Sequence, residues 1–185
     1  VIVVWIILAI VVLVVIFGVV TYNGLVSKRN KIESSYAQID VQLNRRHDLI
    51  PNLVETVKGY AAHESKTLEA VIAARNQATA ATGVADKAQA ENVLSGTLKS
   101  LFAVSEAYPD LKANQNFQQL QTELSSTEDR ISYARQYYND IVRSYNDGIQ
   151  RFPGVIFANM MHFERREYFE ADEASRQNVQ VDFES

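Results

Sequence analysis

The first twenty residues of the chain carry no charge and no amide, only Val, Ile, Leu, Ala and Phe with one Trp and one Gly. At about 1.5 Å of rise per residue, a helix of that length spans roughly 30 Å, the hydrocarbon thickness of a bilayer. A cleaved signal peptide has a shorter apolar run that closes on a small-x-small site. Here the run passes straight into Val19-Val20-Thr21-Tyr22-Asn23-Gly24, so residues 1–20 are expected to remain as a transmembrane anchor. The chain opens on Val rather than Met, so further residues are expected ahead of it. Lys28, Arg29 and Lys31 follow within a dozen residues, offset only by Glu33. Basic flanks tend to stay cytoplasmic. The soluble part is therefore expected in the cytoplasm, with a periplasmic or extracellular placement as the alternative.

Beyond the anchor the pattern is helical. Ile32, Tyr36, Ile39, Leu43, Arg46, Ile50, Leu53, Val57 and Tyr60 follow alternating steps of three and four, and all but Arg46 are apolar or aromatic. That spacing fits one helix face and no strand. The register runs through Pro51, which removes the bond to the carbonyl of His47. Two readings stay open: one kinked continuous helix, which the register favours, or a fresh helix capped by Asp48 with Pro51 in its first turn. Apolar spacing continues through Leu68, Val71 and Ile72 until Thr82-Gly83. Asp86 with Gln89, and Asn116 with Gln119, resemble capping boxes opening two further helices. The first carries Leu94, Leu98, Leu101 and Phe102. The second carries Phe117, Leu120, Leu124, Thr127, Ile131, Ala134, Tyr138, Ile141, Tyr145, Gly148 and Phe152, and stops at Pro153-Gly154. The expected fold is all-α: a transmembrane anchor over residues 1–20, an antiparallel bundle of three long helices over 21–152, and an apolar segment with an acidic tail over 153–185. Residues 155–163 can cap the open end of the bundle or lie at the membrane surface. Residues 179–183 alternate like a strand, though at a terminus such a piece more often frays.

Composition excludes several functions. Residues 164–185 hold seven acids and three arginines, which is the whole of the net −4, so no basic footprint for nucleic acid exists. There is no Cys, and no His stands three residues after a Glu, as a carboxylate-bridged di-iron site in a bundle requires. The histidines are too dispersed for zinc. No Ser sits in a nucleophile elbow, and no glycine cluster forms a phosphate loop. The chain reads as a non-enzyme with no cofactor and no metal.

Arg46 stands out because it falls in the apolar register, where it must point inward or into an interface. A buried guanidinium needs a carboxylate, and Glu128 or Asp48 would serve in an interior salt bridge; an oligomer contact is the competing reading. Tyr133 and Tyr137 lie off the 134/138/141/145 register, and exposed tyrosines of this kind often anchor interfaces.

Several ordered motifs also resemble the bacterial LemA family: YNGLV at 22–26, AQIDVQL at 37–43, RRHDLIPNLVETVKGY at 45–60, EAYPDLKAN at 106–114, RQYYN at 135–139 and EYF at 167–169. The resemblance covers nearly the whole chain. It implies a small helical bundle anchored in the bacterial inner membrane, and it carries over no reaction and no catalytic residue. The expected function is a scaffold or adaptor that touches the lipid bilayer, forms homo-oligomers and recruits a membrane protein partner. The alternative is an accessory or regulatory subunit of a membrane enzyme such as a protease.

Overall fold

Pro51 does not stop the helix that contains it. In the computed structural model, which describes residues 1–170, α1 runs unbroken over Ile2–Lys58 with Pro51 inside. The carbonyl that Pro51 leaves without an amide partner is that of His47, and Arg75 Nε donates to it at 2.8 Å. A side chain from α2 thus replaces the missing helical bond. Asp48 caps nothing; it lies on the exposed side of α1.

The remaining elements are α2 (Ser65–Ala80), α3 (Val84–Ser105), α4 (Pro109–Ala113), α5 (Gln115–Gln150) and α6 (Gly154–Met161), and no strand occurs among the described residues. The expected continuation of the first helix past Tyr60 is corrected: the helix ends at Lys58 and the chain turns over 59–64 before α2. The expected capping boxes are also displaced. Gly83, at φ 83°, precedes α3, a conformation that suits glycine, and Asp86 sits in the first turn of that helix. The cap of α5 is Asn114, whose Oδ1 accepts the Phe117 amide at 3.0 Å.

The described residues group into two compact units that cut across the expected boundaries at 20 and 152. One holds Ile39–Tyr133, together with residues 168–170. There the second part of α1 and the first part of α5 join α2, α3 and α4, and a three-residue link at 81–83 folds α3 back along α2. Its core is built from Ile50, Leu53, Val57, Leu68, Val71, Leu94, Leu98, Leu101, Leu111, Phe117 and Leu124. Those positions recur at three and four along each helix, so each buries one stripe.

The other unit holds Val1–Gln38 and Ala134–Glu167. The start of α1 and the end of α5 run antiparallel in it: Leu25 and Lys28 meet Gly148, Lys28 Nζ donates to the Ser144 carbonyl at 3.1 Å, and the Tyr36 and Tyr138 rings meet at a tilt with centroids 5.8 Å apart. Residues 163–167 form a strap held mainly through its backbone. Tyr138 donates to the Glu167 carbonyl at 3.0 Å and Tyr145 to that of Glu164 at 2.9 Å. Asn146 closes a two-way bridge with Arg166, donating at 3.0 Å and accepting at 2.9 Å. Burial, with Tyr36 adding to it, pushes the Tyr138 phenol up to about 12, so it stays a donor at any physiological pH. Glycine is required at 154, since a Cβ there would lie 2.0 Å from the Gly148 carbonyl oxygen. α6 buries Gly154 and Ala158, half-buries Val155 and Phe157, and leaves Ile156, Met160 and Met161 exposed. The strand-like stretch 179–183 lies outside the described residues.

The Arg75 bond generates a prediction. Arg75→Ala should destabilise by about 1–3 kcal/mol, because it strands a carbonyl that Pro51 cannot serve. In a Pro51→Ala background the new amide takes over and the penalty should shrink. A double-mutant cycle on denaturant unfolding reads the coupling; an Arg75→Ala penalty of the same size in both backgrounds would remove this account.

Candidate functional site

Arg46 enters the interior of the 39–133 unit because it occupies a core position of α1, between Leu43 and Ile50. It is 1% exposed, the largest fully buried side chain described. Its Nη2 pairs with Glu91 Oε2 and also donates to the Glu91 carbonyl at 3.1 Å. Its Nη1 lies 2.5 Å from Glu128 Oε2 and donates to Ser95 Oγ at 2.7 Å. Ser95 in turn reaches the Glu128 carboxylate, 3.3 Å to Oε1. His47 Nε2 lies 2.5 Å from Glu91 Oε1, so the Glu91 carboxylate is shared between two neighbours on α1.

Of the residues singled out in the sequence, the structure brings Arg46 and Glu128 together. Asp48 takes no part: two residues along a helix is about 200° of rotation, which turns it to the opposite side of α1 from Arg46. Glu91, Ser95 and His47 complete the cluster. A signal for Glu91 existed in the sequence: Ala88, Glu91, Leu94, Leu98 and Leu101 share one face of α3, and all five are buried.

Burial alone would raise the Glu91 carboxyl. The hydrogen bond from His47 and the charge and hydrogen bond of Arg46 outweigh it and hold the group below the ordinary carboxylate range. Glu91 is therefore ionised and paired at neutral pH. Among the described residues no group of three or more His, Cys, Asp or Glu is placed to hold a metal ion. Each polar atom of Glu91 is committed to a neighbour, so the arrangement fastens α1, α3 and α5 to one another. Glu128 is the half-exposed end of the cluster. It opens with Ser95 onto a groove of about 820 Å³ between α3 and α5, also lined by Leu98, Phe102, Leu124 and Arg130. Tyr133 and Tyr137 lie elsewhere on α5, 75% and 49% exposed, whereas Tyr138 and Tyr145 are buried.

The sequence model of the LemA family matches residues 35–183, a span that contains the whole Arg46 cluster. The chain belongs to the LemA family. It is 28% identical over 162 residues to protein LemA of Metamycoplasma hominis, covering 85% of this chain and 72% of that one. It is 27% identical over 174 residues to magnetosome protein MamQ of Magnetospirillum gryphiswaldense, covering 80% of this chain and 64% of the relative. MamQ 2 of Paramagnetospirillum magneticum matches to the same 27% over 175 residues. The chain thus spans under two thirds of the MamQ proteins' length. None of these names states a reaction. The apolar N-terminal helix and the family together mark a membrane-anchored bacterial protein.

Removing one partner of a buried pair leaves the other charge uncompensated. Glu91→Gln should cost about 3–5 kcal/mol at neutral pH, and Glu128→Gln, at the half-exposed end, about 1 kcal/mol or less. Because the Glu91 carboxyl is lowered on folding, its contribution is present above the unfolded value and fades as pH falls through the folded one. Thermal melts of the full chain in detergent should therefore show the gap between wild type and Glu91→Gln narrowing as pH falls below about 5, into and beneath the ordinary carboxylate range. A gap constant with pH would mean the carboxylate charge is not what stabilises the cluster.

Proposed function

We propose that this protein is a non-enzymatic scaffold that self-associates at the bacterial inner membrane and recruits partners through its helical faces. The exposure of Tyr137 carries the reading: a half-exposed ring directly precedes the buried Tyr138 in sequence and turns away from it. Tyrosine presents a large apolar body with a polar tip, which suits a contact surface better than free solvent. Tyr133, one turn earlier on α5, is more exposed still. The buried polar cluster supports the same reading, since both Glu91 carboxylate oxygens are engaged by α1 and Arg46 ties α1 to α3 and α5.

A second reading is favoured by the groove between α3 and α5: an accessory or regulatory subunit whose partner, a membrane enzyme such as a protease, occupies that groove. Native mass measurement of the full chain in detergent separates the two. The scaffold gives homo-oligomers alone at micromolar concentration, and Tyr137→Ala shifts them at least severalfold toward monomer. A strict monomer that gains mass only when a partner is added would transfer the proposal to the second reading.

The basic flank Lys28, Arg29 and Lys31 supports a cytoplasmic soluble part. In this Cys-free chain, a cysteine replacing the exposed Ser126 should resist an impermeant thiol reagent in intact cells. Efficient labelling without permeabilisation would place it on the other side.

A further inference from the structure

α6 has the wrong surface for a helix in water. Its buried face is the small one, Gly154 and Ala158. Its outward face carries Ile156 and Met160, 46% and 65% exposed, with Met161 beside them and Phe152 just before the helix. Asn159 is the single polar side chain among its eight residues. A helix packed on a soluble core shows the reverse pattern, polar outward and large apolar residues inward. The exposed patch is contiguous, since residues four apart on a helix are neighbours.

What covers this patch is indicated by where it sits on α1. The Phe157 ring lies against Gly18, close enough that a Cβ at Gly18 would approach it to 3.2 Å. Gly18 is two residues from Val20, the end of the purely apolar run, which puts the contact about 3 Å along the axis from that run's last residue. That is the boundary between acyl chains and headgroups. The neighbouring residues fit the same level. Tyr22 packs edge-on against Phe163 with ring centroids 5.9 Å apart, and the Arg29 guanidinium covers the Phe163 ring at 5.2 Å. Aromatic rings and basic side chains of this kind concentrate at the headgroup layer. Trp5 and Tyr22 stand seventeen residues apart on α1, about 25 Å of helix, as two interfacial belts would.

We infer that α6 is an interfacial helix that lies in the membrane surface beside the anchor, with Phe152, Ile156, Met160 and Met161 immersed in lipid at the acyl–headgroup boundary. The anchor then crosses the bilayer while α6 lies in the interface plane, and the close approach of Gly154 to Gly148 lets the chain turn sharply off the end of α5 into α6. This rests on the anchor being inserted, and the test reads that separately.

The full chain is reconstituted in single-copy nanodiscs of phosphatidylethanolamine and phosphatidylglycerol. An environment-sensitive fluorophore is attached at Met160→Cys, at Val11→Cys within the anchor, or at Ser126→Cys on α5. Lipids carry a quencher either near the headgroup or near the chain end. The Val11 label should be quenched most by the deep quencher, and the Ser126 label by neither. The Met160 label should be blue-shifted and quenched severalfold more by the shallow quencher than by the deep one. A Met160 label as wet and unquenched as that at Ser126, while Val11 is quenched, would overturn the inference and leave the anchor standing. A blue-shifted but unquenched Met160 label would assign the patch to protein and overturn it equally. An unquenched Val11 label would remove the membrane reading itself.

Discussion

The guanidinium of Arg46 is the constraint that the 39–133 unit is organised around. An isolated charge inside a helical core costs several kcal/mol even after relaxation, so the fold is viable only when that charge is matched. Glu91 and Ser95 are one turn apart on α3 and reach it from one side, and Glu128 reaches it from α5. Rotating α3 by a single residue would swing both groups away together and leave the charge bare. An apolar core tolerates small slips between stripes of leucine, whereas this cluster does not. Whatever it adds to net stability, it fixes the rotation of three helices about their axes.

The Val1–Gln38 and Ala134–Glu167 unit is held by a different kind of contact. The strap at 163–167 is gripped at its backbone by two phenols and an amide, and Arg166 reaches Glu33 at 2.7 Å in an ion pair. Neutral donors gripping carbonyls respond little to salt or pH, and the Tyr138 proton is secure to about 12. Backbone capture also makes the strap's path insensitive to most of its own side chains. The exchange at the His47 carbonyl in the other unit follows the same logic: Arg75 fills a vacancy in the main-chain hydrogen bonds and so ties α2 to α1 at the point where α1 is intrinsically weakest.

The sequence revealed the anchor and the apolar stripes because both are long and repetitive, and a periodic signal accumulates over many residues. Arg46 was legible as an inward charge for the same reason, being the one charged residue in an otherwise apolar register. Glu91 was not singled out, because a lone carboxylate near a helix start reads as solvated surface until its place among Ala88, Leu94 and Leu98 is weighed. Asp48 was an attractive partner by closeness in sequence, and helical rotation rules it out. The turn at 59–64 was hidden since the apolar spacing survives it, Ala61 and Leu68 both being buried. Caps are short motifs that arise by chance, and Asn114 does the work assigned to Asn116 two residues later.

The anchor's packing bears on how the proposed self-association would arise. Transmembrane helices associate tightly where small residues let backbones approach, and polar residues can bridge them. Residues 1–20 have no polar side chain, and their one glycine is already covered by Phe157 of the same chain. The most favourable close-packing point on the anchor is therefore occupied within the protomer. In the proposed assembly the anchor would still contribute by confinement. Copies held in one plane with one orientation meet at a raised effective concentration and lose less freedom on binding. Contacts too weak to assemble a soluble protein would then suffice, which is the scale the proposal asks of the exposed Tyr133 and Tyr137. Orientation also restricts the geometry: copies that share a membrane normal meet either about a two-fold along that normal or head to tail, and head-to-tail contacts close into rings when their rotation permits.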